Sequence, residues 1–289
     1  ALQRLLDEEF FVHHPSVKTS YLITTSPPIS RAQVKSGRVK VGNIMFENAQ
    51  PHVVCGERQL LDALSAEGRL HRNRSMIFHT YGNVILKRQL DARFKSFWDL
   101  QKVASGRFAS SDTRENNSAP MYKSTILDIA MANPRMKGMT AEKIATEAAQ
   151  LQSQLFANVS SISPPMHRSV PHLIGLGLAD AGLIKLHLAV AAMRENPGVF
   201  SAIYLSSNKT GETVDPDVLA QGQVPMTGNK VDTYWISRTN TSLSVEQDFA
   251  REAFWEAVHS APFADILHDT GFAPAVAAQN LKNSAQVQT

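Results

Sequence analysis

The segment Ser163–Leu188 constrains the fold more than any other part of the sequence. It begins with a turn containing two prolines, continues as a helix-like stretch and ends in a short apolar run that only Lys185 interrupts. A bounded apolar run of this length forms a buried strand or a short buried helix, and the flanking glycine and aspartate favour a strand. The segment therefore predicts a turn, a helix and a strand, with polar ends at His167–Arg168 and Lys185–His187 that face one place.

The N-terminal part of the chain alternates between helical and strand-like patterns. Val17–Thr25 and Val39–Phe46 are rich in β-branched and aromatic residues, and the stretch between them is typical of a helix with Ser30 as its N-cap. Such alternation predicts a parallel sheet. Ligands of parallel sheets bind beyond the carboxyl ends of the strands, here near Thr24–Ser26 and Glu47–Asn48.

Further elements follow from local patterns along the rest of the chain. Ser244 and Gln247 form a capping-box signature, which predicts a helix that begins after Ser244. The other predicted elements are a short helix at Gln59–Leu64, strands at Arg72–His79, Arg107–Ser110 and Thr233–Ser237, and an amphipathic helix at Thr140–Phe156.

Composition and charge exclude several classes of protein. The chain has 289 residues, 43% hydrophobic and 19% charged, which is long enough for two domains of ordinary size. The net charge of +3 comes from scattered residues, whereas a nucleic-acid surface needs a clustered basic face. The longest apolar runs are too short to cross a membrane. The single cysteine, Cys55, cannot form an internal disulfide.

Five Asn-x-Ser/Thr triplets favour a secretory history, although such triplets also arise by chance; they begin at Asn73, Asn116, Asn158, Asn208 and Asn240. Helical spacing starts immediately at Leu2, and we expect a strand upstream of Ala1.

The end of the chain carries the most specific pattern. Ser260–Pro274 combines a helical turn of the form S-x-P-x-A-x-I-L with a closing G-F-x-P, and Arg72–His79 is followed by a Gly-Asn turn. In order, spacing and position, these segments resemble the type II extracytoplasmic solute-binding proteins, and the molybdate- and tungstate-binding branch most of all. The resemblance implies an α/β fold of two lobes. Each lobe would be a mixed, mostly parallel sheet flanked by helices, and two crossing segments would form a hinge.

On this resemblance, lobe one comprises residues 1–79 and 233–274, lobe two comprises residues 80–232, and residues 275–289 form a flexible tail. Oxyanion-binding members of the family bind their ligand in the cleft between the lobes, through backbone N–H groups at helix N-termini and through hydroxyl groups. The matching positions and the polar residues expected beside them are Thr25, Ser26, Glu47, Asn48, Ser118, Ala119, His167, Arg168, Lys185 and His187.

The resemblance implies a periplasmic or secreted monomer that captures a small oxyanion such as molybdate, tungstate or sulfate. A transporter permease of the ABC class would be its partner, with no cofactor, nucleic acid or membrane insertion.

Two alternatives stay open. Imidazole and carboxylate groups bind transition metals, so His167, His187 and Glu47 could hold a metal ion. The third hypothesis is an enzyme on the same scaffold, although Cys55 follows a strand-like run and has the setting of an inert buried thiol.

Overall fold

The computed structural model describes residues 1–25, 27–41, 43–80, 83–95, 99, 103, 106–110, 137–157, 167–204, 213–217 and 232–275. The chain divides into two compact units. Unit 1 contains Ala1–His79, Asp232–His268 and the chain from Phe272 onward, and unit 2 contains Thr80–Val231 and Asp269–Gly271.

The helices of the described residues are α1 Leu2–Leu5, α2 Phe11–His13, α3 Pro27–Ser36, α4 Arg58–Ala66, α5 Ala141–Ala157, α6 Val170–Gly175, α7 Leu186–Glu195, α8 Val245–Ala257 and α9 Ala261–Asp269. A π-helical turn, Leu6–Phe10, joins α1 to α2, and a 3-10 turn, His167–Ser169, precedes α6. None of these helices combines the length and the hydropathy that a membrane crossing requires.

The strands of the same residues are β1 Val39–Val41, β2 Ile44–Phe46, β3 Val53–Glu57, β4 Leu70–Thr80, β5 Asn83–Arg88, β6 Phe108–Ala109, β7 Ala181–Lys185, β8 Phe200–Tyr204, β9 Asp232–Thr239 and β10 Phe272–Pro274. They form a β1–β2 hairpin, a sheet in unit 1 of order β10-β4-β9-β3, and a sheet in unit 2 of order β6-β7-β5-β8.

The unit 1 sheet has an apolar cluster on each face. Val53 and Cys55 pack against one cluster, whose buried members include Phe263, whereas Val54 belongs to the other, with Leu61 and Leu64 of α4. Adjacent residues of a strand point to opposite faces, and the alternation along β3 therefore assigns one cluster to each side. Leu61 and Leu64 are fully buried, and burial of one such side chain contributes about 1.5–3 kcal/mol to stability.

Strand β5 is the central element of the unit 2 sheet. It pairs antiparallel with β7 on one side and with β8 on the other, and its residues from Asn83 to Lys87 are all buried. Helix α6 packs closely on β7 at Gly182, where an added Cβ would lie 2.4 Å from Val170 Cγ1. The turn–helix–strand prediction for Ser163–Leu188 is confirmed in part: a 3-10 turn, α6 and β7 follow in that order, but β7 ends at Lys185 and α7 begins at Leu186. The two prolines of the predicted turn lie outside the described residues.

The prediction of mostly parallel sheets is wrong. Strand β6 runs parallel to β7, but β5 is antiparallel to both its neighbours and β3 is antiparallel to β9. The prediction rested on local alternation of helix and strand patterns, which assumes that successive strands are neighbours in one sheet. Instead, β9 inserts between β3 and β4 from a distant part of the chain.

Two predicted strands near the N-terminus are also wrong. Val17–Thr25 forms no strand and is largely exposed, with Tyr21 81% accessible. Val39–Phe46 is not one strand but a hairpin in which Val39 pairs with Phe46. Asn43, in the turn of this hairpin, is a residue type typical of turns. Helix α3 begins at Pro27, so that Ser30 lies inside the helix rather than at its N-cap.

Other predicted elements are confirmed. Helix α5 covers the predicted amphipathic segment, and α4 and the strands β4, β6 and β9 overlap their predicted ranges. The capping box at the start of α8 is complete, because Ser244 Oγ accepts from the Gln247 N–H and Gln247 Oε1 accepts from the Ser244 N–H.

Replacing Ser244 by alanine removes the hydroxyl that caps α8, and we expect the free energy of unfolding to fall by about 1 kcal/mol. Urea denaturation followed by circular dichroism measures this change. Ser242→Ala is the matched control, because Ser242 is exposed and no hydrogen bond of its hydroxyl occurs among the described residues. Equal losses in the two variants would show that the capping box does not stabilise α8.

Candidate functional site

The candidate site lies in unit 2, where the parallel strands β6 and β7 end. This end of the sheet is called the edge, and the end where the same two strands begin is called the opposite edge. Lys185 is the last residue of β7 and directly precedes α7, while Ser110 follows β6. Both are buried, with Lys185 7% and Ser110 1% exposed. The carboxyl ends of parallel strands are where α/β sheets bind ligands.

Asn83 brings a second polar group to the same edge. It is the first residue of the antiparallel strand β5 and pairs directly with Lys185. Side chains of directly opposed residues point to the same face, with Cβ atoms about 4.5–5.5 Å apart. Asn83 is fully buried, and within the described part of the chain neither its Oδ1 nor its Nδ2 atom has a hydrogen-bond partner. An unsatisfied buried amide costs about 1–3 kcal/mol, so this group requires a specific explanation.

The N-terminus of α7 completes the edge. Lys185 occupies its N-cap position without forming a side-chain cap, and the first turn contains no acidic residue. The first N–H groups of a helix have no partner inside the helix, and the aligned peptide dipoles place partial positive charge there. A lysine, an amide donor and a helix N-terminus on one edge favour an anion.

The opposite edge of the same sheet differs in its chemistry. Arg107 Nη2 lies 2.6 Å from Asp180 Oδ1, and the Asp180 N–H donates to the Arg107 carbonyl at 2.7 Å. The hydrogen bond from Arg107 holds the pKa of Asp180 below its ordinary value. Lys87, at the far end of β5, donates to the Asp91 carbonyl at 2.8 Å. Polar side chains at this edge have partners within the protein, whereas the Asn83 side chain at the other edge forms no hydrogen bond in the described chain.

The remaining predicted residues of unit 2 are placed as follows. His187 was predicted on the strand with Lys185, and this is wrong, because β7 ends at Lys185 and His187 lies in the first turn of α7. Residues two apart on a helix do not face each other, so Lys185 and His187 do not form a pair by spacing alone. Arg168 is exposed in the 3-10 turn before α6. Ser118, Ala119 and the side chain of His167 lie outside the described part of the structure.

In unit 1, Thr25 lies immediately before α3. Its Oγ1 is 2.6 Å from Ser30 Oγ, one turn into the helix. Two of the first N–H groups are absent there, since Pro27 and Pro28 have none, and this weakens the anion-binding capacity of the helix end. Ser26 lies outside the described residues.

Glu47 and Asn48 lie at the other end of α3. Glu47 is exposed and pairs with Arg38 at 2.7 Å. Asn48 adopts φ 56°, and the N–H of the next residue, Ala49, donates to the Gly37 carbonyl at 2.8 Å. Ten helical residues span about 15 Å. Thr25 is therefore not brought together with these two residues, because Val17–Thr25 and Val39–Phe46 do not form neighbouring parallel strands.

This arrangement does not support the predicted metal site of His167, His187 and Glu47. The Glu47 carboxylate is already paired with Arg38, and no group of three His, Cys, Asp or Glu side chains that could hold a metal ion occurs in the ranges described above.

Cys55 also lacks the character of a catalytic nucleophile. It lies in β3 against an apolar cluster, and burial raises the pKa of its thiol to about 12. The thiolate, which is the reactive form, is scarce at neutral pH under these conditions.

This chain is similar to known proteins in structure, whereas no similar sequence was found. No family model matches the chain, and no curated protein matches its sequence. The sulfate-binding protein SubI from Mycobacterium tuberculosis H37Rv superposes with a TM-score of 0.62 at 12% identity, over 98% of this chain and 86% of that chain. The substrate-binding domain assigned to a molybdenum ABC transporter from Clostridium difficile gives 0.55 at 14% identity, over 94% of each chain. The ferric-binding protein from Campylobacter jejuni gives 0.55 at 13% identity, over 93% of this chain and 83% of that chain.

The chain has the fold of periplasmic solute-binding proteins. This confirms the fold predicted from the pattern at Ser260–Pro274, with the correction that the sheets are mostly antiparallel. Within this solute-binding fold, Asn83 is the residue that sequence reasoning missed. The available signal was an asparagine that directly precedes the apolar run Val84–Leu86.

The high pKa of Cys55 predicts slow alkylation of the native protein. At pH 8, iodoacetamide should modify Cys55 far more slowly in the folded protein than in urea, where the thiol regains its ordinary pKa of about 8.5. Mass spectrometry of timed samples measures both rates. Comparable rates in the two states would show that Cys55 is accessible as a thiolate, and the enzyme hypothesis would regain support.

Proposed function

We propose that this protein is an extracytoplasmic solute-binding protein that captures a small oxyanion of the sulfate, molybdate and tungstate class. The observation that carries the proposal is the polar edge of the unit 2 sheet, where buried Asn83 and Lys185 lie side by side at the start of α7. A ligand that accepts hydrogen bonds would satisfy the Nδ2 donor of Asn83, and one with negative charge would be stabilised by Lys185 and by the helix dipole.

The fold supports the transport role. Proteins described as sulfate-binding and as part of a molybdenum ABC transporter share it over most of their length. We therefore propose delivery of the ligand to an ABC transporter outside the cytoplasm. The ferric-binding protein from Campylobacter jejuni shares the fold too, so the fold does not select the ligand, and the selection rests on the chemistry of the edge.

Thr25, Ser26, Ser118, Ala119, His167 and Arg168 stay in the proposed ligand-binding set as hydroxyl, backbone or cationic donors. Glu47 and Asn48 are weaker candidates, because the Glu47 carboxylate repels an anion and already pairs with Arg38.

Substitution of Asn83 by leucine separates binding from folding. We expect the affinity for sulfate or molybdate, measured by isothermal titration calorimetry, to fall about ten- to hundredfold, since a hydrogen bond to a charged ligand contributes about 1.5–3 kcal/mol. In the absence of ligand the same variant should be as stable as the parent or more stable, because a buried unsatisfied amide has been removed. Lys185→Gln should weaken binding as well.

Lys87→Gln provides the matched control. Lys87 is a lysine of the same sheet with 8% exposure, but it lies at the opposite edge and bonds to the Asp91 carbonyl. We expect it to change stability without changing affinity. Parent-like binding by both Asn83→Leu and Lys185→Gln would overturn the proposed site.

The pH dependence of binding distinguishes an oxyanion site from a histidine–metal site. Backbone N–H and side-chain amide donors carry no proton that titrates between about pH 5.5 and 7.5, and sulfate keeps its charge, so the affinity should stay nearly constant. Histidine must be deprotonated to bind a metal, and a histidine–metal site would weaken steeply around the pKa of a free imidazole, about 6.5. A steep loss in mild acid, together with sensitivity to EDTA, would favour the metal hypothesis.

A further inference from the structure

The triplet Asn73-Arg74-Ser75 lies on strand β4 of unit 1, with the Asn73 side chain exposed. The side-chain amide of Asn73 forms no hydrogen bond among the described residues, whereas the side chains of Arg74 and Ser75 both have partners. Arg74 pairs with Asp62 of α4, and Ser75 Oγ lies 2.7 Å from His259 Nε2. The amide of Asn73 thus projects from an ordered strand without a structural role of its own.

The second triplet within the described residues, Asn240-Thr241-Ser242, is different. Asn240 Nδ2 donates to the carbonyls of both Gly68 and Leu70 at 2.9 Å, and the Asn240 N–H donates to the Arg69 carbonyl at 2.9 Å. A side-chain amide has two N–H donors, and both are used here. These bonds tie the end of β9 to the start of β4.

We propose that the folded protein carries an asparagine-linked glycan on Asn73 and that folded molecules do not carry one on Asn240. The donor is a lipid-linked oligosaccharide diphosphate. The amide nitrogen of Asn73 forms a bond to the anomeric carbon of the first sugar, while the bond from that carbon to the diphosphate oxygen breaks. The lipid diphosphate leaves with the bonding electron pair, and the amide gives up one proton.

The chemistry of the product explains the difference between the two sites. A glycosylated amide keeps one N–H, so a glycan on Asn240 would abolish at least one of its two bonds to residues 68–70. A glycan on Asn73 would break no hydrogen bond among the described residues and would extend from an exposed position. Acceptor triplets are most often found in surface loops. A strand position is compatible as well, because the glycan is transferred while the chain is still unfolded and the folded strand only has to leave it room.

This inference concerns a modification and is independent of the proposed ligand. The test uses the full chain fused to a cleavable leader and produced in eukaryotic cells, with lumenal and secreted material both collected. Peptide mapping after release by peptide N-glycosidase in heavy-oxygen water marks each occupied asparagine. We expect most secreted molecules to be marked at Asn73 and unmarked at Asn240, because a molecule with a glycan on Asn240 loses bonds of the folded state.

Four variants accompany the parent. Asn73→Gln and Ser75→Ala should each lose one glycan-sized step in electrophoretic mobility, whereas Ser75→Thr preserves the triplet and should keep it. Asn73→Gln should leave the urea midpoint of the deglycosylated protein unchanged, while Asn240→Gln should lower it. An unmarked Asn73 in the parent, or occupancy of Asn240 equal to that of Asn73, would overturn the proposal.

Discussion

The burial of the central strand β5 from Asn83 to Lys87 is the constraint on which unit 2 depends. Its run from Val84 to Leu86 is inaccessible to solvent, with β7 on one side and β8 on the other. In such a setting every polar group must find a partner or reduce stability. Lys87 meets this requirement through the Asp91 carbonyl. Asn83, at the other end of the same strand, does not meet it within the described chain. We therefore propose different roles for the two ends of β5, one structural and the other in binding a ligand.

The two ends of the other strands in this sheet differ in a similar way. The starts of β6 and β7 are held together by Arg107 and Asp180 through an ion pair and a backbone hydrogen bond. Carboxylates stabilised in this way contribute to stability above their unfolded pKa and lose that contribution as the pH falls through the depressed folded value. At the other edge, where β7 ends and β5 begins, Lys185 lies directly opposite Asn83. An ion-paired edge thus supports the edge that we propose as the ligand site.

Much of the secondary structure could be predicted from the sequence, because local signals determine it. The capping box at Ser244 and the apolar run at Ala181–Lys185 depend on neighbouring residues, and both predictions are confirmed. Sheet direction could not be predicted in the same way, since β9 reaches its place between β3 and β4 from more than 150 residues away. Val17–Thr25 shows the same limit: its residue types favour a strand, but a strand needs a partner, and the described chain supplies none.

Only part of the candidate site could be predicted from the sequence, again because the rest depends on long-range strand pairing. Lys185 could be identified because a charge interrupts an apolar run. Asn83 could not, because an asparagine at the start of a strand is usually a turn residue. Its significance arises from the pairing with Lys185 across about a hundred intervening residues, which only the antiparallel register of β5 and β7 creates. A buried polar group kept at a cost to stability is typical of functional sites, since binding compensates for what folding loses. On that reasoning Asn83, rather than the charged residue beside it, is the more specific mark of a site.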